Sequence, residues 1–229
     1  MIDQKRAVVL CNRELRVYDL DTGSLLTKLK GVMNQKMPFF EVYGDNYVVA
    51  LARNRMYVNM LNLNTGELET TFKVGEDRFL NSLLVSANGG ICVCGDETQK
   101  PFPLLVWNLN ERRLLYDLRL DRHEFITRMS AISDDGHFVV SVCKQVSDPS
   151  DPLPQAHNGS ATGATPSSKS PNFIVIYDLN SGTLFKKWKP GLDTCSVAIS
   201  LPPNQSGKVI NTIVNNSILV WDLATGSKK

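Results

Sequence analysis

Leu219-Val220-Trp221-Asp222-Leu223-Ala224-Thr225-Gly226 is an apolar run that closes on an acid and then turns on a glycine. The same phrase occurs four more times. It reads Arg16-Val17-Tyr18-Asp19-Leu20-Asp21-Thr22-Gly23, then Asn59-Met60-Leu61-Asn62-Leu63-Asn64-Thr65-Gly66. Next come Leu105-Val106-Trp107-Asn108-Leu109-Asn110-Glu111-Arg112 and Val175-Ile176-Tyr177-Asp178-Leu179-Asn180-Ser181-Gly182. The aromatic position falls at residues 18, 61, 107, 177 and 221, at spacings of 43, 46, 70 and 44. A period of roughly 40–45 residues is that of one four-stranded unit in an array of repeated sheets.

Each copy has a physical reading. The β-branched and aromatic run is a short strand buried on both faces. The Asp or Asn beside the aromatic sits at the strand end, where a short side chain can accept from backbone donors of the turn. The Thr/Ser-Gly that follows makes a tight hairpin, with glycine taking the positive φ. A half-exposed strand comes next, as in Thr183-Leu184-Phe185-Lys186-Lys187-Trp188. Two further strands joined by a Gly turn fit into each interval: Asn81–Ser86 and Ile91–Cys94 in the third, Arg128–Ser133 and His137–Val142 in the fourth. No stretch sustains a 3.6-residue period, so very little helix is expected.

These residues resemble WD40 repeats, whose blades end in Trp-Asp after a turn of the Ser-x-Asp-Gly kind. Trp221-Asp222 is such a dipeptide, Tyr18-Asp19, Tyr177-Asp178 and Trp107-Asn108 are near forms, and Leu61-Asn62 is a degenerate one. Ser133-Asp134-Asp135-Gly136 matches the turn. The resemblance spans residues 1–229 and implies an all-β fold of WD40-type β-propeller blades, with motif ends near residues 19, 62, 108, 178 and 222. The texture of the repeats also resembles the WD-repeat region of NACHT and WD repeat domain-containing proteins. That narrower likeness implies a larger signalling ATPase with this region as its sensor or autoinhibitory part.

The chain departs from the WD40 pattern in two respects. WD40 repeats carry Gly-His before the innermost strand, and that His joins a network with Ser, Asp and Trp. Here His123, preceded by Arg122, is the one histidine at such a place. Arg112 replaces the hairpin glycine of the third copy, and a positive φ there strains the backbone by about 1 kcal/mol. Strand counting gives four full sets plus one partial, an incomplete or open ring, with edges and apolar faces left uncovered.

Composition narrows the function. The 229 residues hold 25 Lys and Arg against 23 Asp and Glu, a net charge of +2 that gives no nucleic-acid or membrane partner a basic surface. Hydrophobic residues are 42% and charged residues 21%, a globular balance, and no apolar run reaches the roughly 18 residues of a spanning helix. The polar start Met1-Ile2-Asp3-Gln4-Lys5-Arg6 predicts no signal peptide. Five cysteines without a CxxC pair fit reduced thiols and a cytoplasmic location. Phosphate-loop, dinucleotide, zinc-protease and serine-hydrolase motifs are all missing, so no catalytic residue, cofactor or metal is expected. Cys92 and Cys94 share a strand face and read as small core residues.

The expected role is a protein-interaction scaffold. Candidate contacts lie in loops joining outer to inner strands, with Arg78, Arg122, His123 and Glu124 as partner-binding residues. A propeller enzyme working at a central channel would need ionisable residues repeated at matching blade positions, and none recur. A truncated product without independent activity is the third reading. Residues 147–171 are rich in Ser, Pro and Gly and poor in bulky apolar groups, the composition of a disordered insertion. Thr165-Pro166 and Ser170-Pro171 are candidate proline-directed phosphorylation sites within it. Limited proteolysis should cut inside 147–171 before any other turn; equal or slower cutting there would contradict disorder.

Overall fold

The structure, a computed structural model, describes residues 5–30, 32, 39–73, 77–96, 103–118, 124–145, 172–189, 198–200, 209–214, 217–225 and 227–229. Eighteen antiparallel strands and no helix appear among them. The first sheet joins β1 (Arg6–Cys11), β2 (Glu14–Asp19) and β3 (Leu25–Leu29). The second is β4 (Phe40–Tyr43), β5 (Tyr47–Leu51), β6 (Tyr57–Asn62) and β7 (Leu68–Lys73). The third is β8 (Leu84–Val85), β9 (Ile91–Gly95), β10 (Leu104–Asn108) and β11 (Arg113–Leu118). The fourth is β12 (Glu124–Ile132), β13 (Phe138–Gln145), β14 (Asn172–Asp178) and β15 (Thr183–Trp188). The fifth is β16 (Ala198–Ser200), β17 (Val209–Val214) and β18 (Ser217–Asp222).

Within each sheet the strands pair in chain order. Four full sets and a half would hold the same number of strands, but they are divided differently: three sheets of four lie between two sheets of three. The cause is that the strand after each repeated phrase pairs with the phrase itself. The first sheet therefore has its outer strand β3, and the last sheet ends on its phrase strand β18. The insertion 147–171, with Thr165 and Ser170, lies outside the described residues.

Every copy of the phrase ends in the same hydrogen-bonded turn. Asp19 Oδ1 accepts from the Thr22 N–H at 2.8 Å, and Asn62 Oδ1 from those of Asn64 and Thr65 at 2.9 and 3.2 Å. Asn108 Oδ1 accepts from Glu111 N–H at 2.9 Å, Asp178 Oδ1 from Asn180 N–H at 2.8 Å, and Asp222 Oδ1 from Thr225 N–H at 2.9 Å. The Thr225 amide holds the Asp222 carboxyl below its ordinary pKa. Arg112 takes φ 56°, as its place in the glycine position requires.

Between sheets lie four apolar cores, one per junction. The first joins Leu15, Val17 and Leu29 to Val48, Ala50, Leu61 and Leu63. The second joins Val49, Leu51, Val58, Met60 and Phe72 to Cys92, Cys94, Leu105 and Trp107. Neighbouring residues of one strand thus enter opposite cores, the strand period of two at work. The aromatic position of each phrase faces the preceding sheet: Leu61, Trp107, Tyr177 and Trp221 are all buried there. Tyr18, on the first sheet, is only half-buried. In the same way β6 and β10 are buried along nearly their whole length, whereas β18 leaves Ile218 68% exposed.

Polar contacts tie the sheets along their outer rim. Tyr116 Oη donates to the Asn180 carbonyl at 2.7 Å, and Lys186 Nζ donates to the Ala224 carbonyl at 2.5 Å. Gly66 presses its Cα against β3, where an added Cβ would run into the Lys28 carbonyl oxygen. Gly23 has a similar φ, 67° against 73°, but open space around it. Gly23→Ala should therefore lower stability by only about 1–2 kcal/mol, the left-handed strain alone. Gly66→Ala should lower it by about 1–3 kcal/mol more, from the steric clash. Urea denaturation checks the difference, and equal losses would refute the docking role of Gly66.

Candidate interaction surface

The antiparallel order sends the β5–β6 turn and the β7–β8 connection to the same end of the second sheet. Among the candidate residues, Arg122 and His123 lie outside the described residues. Glu124 opens β12 and pairs in register with Gln145. Arg78 lies in the β7–β8 connection, and the structure gives it a partner inside the protein.

Asp96 ends β9's run and is fully buried, 0% exposed. Its Oδ2 accepts from Arg78 Nη1 at 2.5 Å, and its Oδ1 accepts from the Phe79 N–H at 3.4 Å. Its own N–H donates to the Pro103 carbonyl, and Leu80 bridges to it in antiparallel register. Arg78 precedes the innermost strand of the third sheet, where the WD40 resemblance places a histidine. The sequence has no histidine at this place, and Arg78 pairs with Asp96. The pair's first consequence is structural, because a buried carboxylate must be compensated.

Phe79, fixed by that pair, is 41% exposed and supports a residue that the sequence reading did not single out. The Arg55 guanidinium carbon lies 5.5 Å from the Phe79 ring centroid and 5.1 Å from that of Phe39. Planar guanidinium on aromatic faces is a favourable stack that leaves the N–H edge free to bind. Arg55 has φ 58°, a left-handed conformation that is strained for such a side chain. Three hydrogen bonds hold the turn in it: Arg55 N–H to the Ala52 carbonyl, Leu80 N–H to the Arg55 carbonyl, and Met56 N–H to Asn54 Oδ1. Asp77 is likewise at φ 59° in the facing connection.

Beside this turn an open depression of about 530 Å³ is lined by Ala52, Arg53, Asn54 and Tyr57. Lys73 Nζ lies 5.5 Å from the Tyr57 ring centroid. Arg53 and Asn54 are exposed, and Arg53 has no carboxylate partner among the described residues. The sequence signal for this site was Arg53-Asn54-Arg55 between two strands. In one dimension it is just a polar turn, and only folding brings the phenylalanines from residues 39 and 79 to it.

Cys92, Cys94 and Cys143 are interior. Cys92 Sγ and Cys94 Sγ are 4.0 Å apart in the core between the second and third sheets, and burial pushes the Cys94 thiol well up. Burial likewise raises Cys143 to about 12, so neither is a ready thiolate at neutral pH. Among the described residues no three His, Cys, Asp or Glu side chains gather in a way that could hold a metal ion. Arg78→Ala should destabilise the fold by about 1.5–3 kcal/mol by removing the charged hydrogen-bond donor to the buried Asp96 carboxylate. Adding Asp96→Ala to it should recover part of that loss. A denaturant-measured loss below about 1 kcal/mol for Arg78→Ala would contradict the brace.

No family model matches the chain, and no curated protein matches it. Among solved structures, a chain of the "Crystal Structure of Mitotic Checkpoint Complex" matches with a TM-score of 0.62 at 15% sequence identity. The match covers 96% of this chain and 58% of that chain, so this chain spans less than two thirds of its neighbour's length. The successive four-stranded antiparallel sheets and this likeness together show an all-β fold of WD40-type β-propeller blades.

Proposed function

We propose that this chain is a non-catalytic protein–protein interaction scaffold of the cytoplasm, built from WD40-type blades. The observation that carries this reading is the division of labour in the sheets. Apolar cores at every junction fix the strands, while the connecting turns present exposed Arg53, Asn54 and Phe79 at one end. Rigid strands bearing variable loops are a frame suited to recognition. The small net charge favours protein over nucleic acid or membrane as the partner. The finer reading, a sensor or autoinhibitory part of a NACHT-type signalling ATPase, rests on the resemblance of the repeats alone. Reading the native transcript upstream of these residues tests it, and a P-loop coding segment there is the expected result.

The scaffold reading is tested by affinity capture of the folded chain from cytoplasmic extract with quantitative mass spectrometry, using a Trp107→Ala variant as the unfolding control. A stoichiometric protein partner retained by the folded chain alone is expected. Turnover of a small substrate by the purified chain, or no fold-dependent partner, would overturn it.

A further inference from the structure

We infer that the β5–β6 turn, with Arg53 and Arg55 as its cationic groups, is the docking site for an acidic, extended segment of a partner protein. This rests on the scaffold reading and names where the partner binds and what chemistry it brings.

Four observations converge on the turn. A depression of about 530 Å³ opens there, large enough for a few side chains of a peptide, with Tyr57 as an apolar wall. Arg53 lines it without a carboxylate partner among the described residues, so its charge is available. Arg55, two residues on, is held against Phe39 and Phe79 in a strained backbone conformation. A stacked, immobilised guanidinium loses little further freedom when it takes a carboxylate with two parallel N–H donors. Finally, the buried Asp96 fixes Arg78 and the Phe79 backbone, so the aromatic support of Arg55 is itself anchored to the core. That is the arrangement of a preorganised contact rather than a loosely solvated turn.

The chemistry of the occupant follows. Two guanidinium groups call for anionic side chains, and the exposed Phe79 and the Tyr57 wall call for an apolar residue between or beside them. Glutamate, aspartate and phosphoserine supply the same anionic chemistry, and the test separates them. Lys73, near Tyr57, adds positive charge on the same side, and Asp77 is the exposed carboxylate of the adjoining connection.

The probe is a short fluorescein-labelled peptide with a central Glu-Glu-Leu-Glu flanked by Gly and Ser, followed by fluorescence polarisation on the full chain. A version with Gln for Glu and one with phosphoserine for Glu run beside it. The Glu or the phosphoserine peptide should bind, the Gln peptide should not, and affinity should fall as salt rises. Arg53→Ala should weaken binding about tenfold at an unchanged melting temperature. Arg55→Asn, whose side chain tolerates the left-handed backbone, should weaken binding by a similar factor, with a small fall in melting temperature from loss of the stack on Phe39 and Phe79. Equal binding of the Gln peptide, binding unaffected by both variants, equal competition by a single-stranded oligonucleotide, or no binding would each overturn the assignment. If the assignment falls while the captured partner is retained by Arg53→Ala and Arg55→Asn, the scaffold reading stands and the docking site lies elsewhere. If the wild-type chain captures no partner, it is the scaffold reading that fails.

Discussion

The phrase strands β6, β10 and β14 bury side chains on both of their faces, and a single sheet can bury neither. Val48 and Leu61 point into one core while Val49 and Met60, their neighbours, point into the next. The three middle sheets are therefore packed between two others, the first and last against one, and the sheets succeed one another face to face. Burying a large apolar side chain contributes about 1.5–3 kcal/mol, so each junction outweighs any single polar contact in the structure. The fold's repetition is a consequence of this two-sided demand.

Polar groups set the register of that packing. The acid or amide after each aromatic caps its own turn, which fixes where the strand stops and the hairpin begins. The hairpin then docks on the outer strand of the preceding sheet through a close glycine, as at Gly66, or a carbonyl acceptor, as at Asn180 and Ala224. Turn interlocks with turn as well: Asn88 and Gly89 both donate to the Asp134 carbonyl of the next sheet. Ser133 completes that turn by accepting from the Phe138 N–H and donating to Asp135. Local turn chemistry and junction packing thus specify the same arrangement, the agreement across levels that makes one structure preferred.

The Arg78–Asp96 pair connects this framework to the surface. A buried carboxylate does not by itself add stability, and its pairing offsets the loss of hydration more than it exceeds it. What the pair provides is position, because it holds the backbone of Phe79 and through it the ring beneath Arg55. Strain at Arg55 persists because three hydrogen bonds of the turn and connection over-determine the backbone there.

Much of the fold was legible in the sequence because its signal is local and repeated. The apolar run, the capping acid and the turn glycine lie within eight residues, and a strand period of two follows from chain geometry alone. The left-handed Arg112 was legible for the same reason. The division of strands between the terminal sheets was not, since pairing partners are chosen across the sheet and not along the chain. The residue type of Arg78 is legible in the sequence, but whether it faces outward or inward is set by Asp96, eighteen residues on. Arg55 was missed because its meaning depends on Phe39 and Phe79, which folding alone brings to one guanidinium. Sequence by itself determined the strands, their turns and which faces are apolar, all short-range matters of stereochemistry and side-chain type. Tertiary structure decided which charges are buried, which stay free and where aromatic and cationic groups meet, because those depend on contacts between segments far apart in the chain.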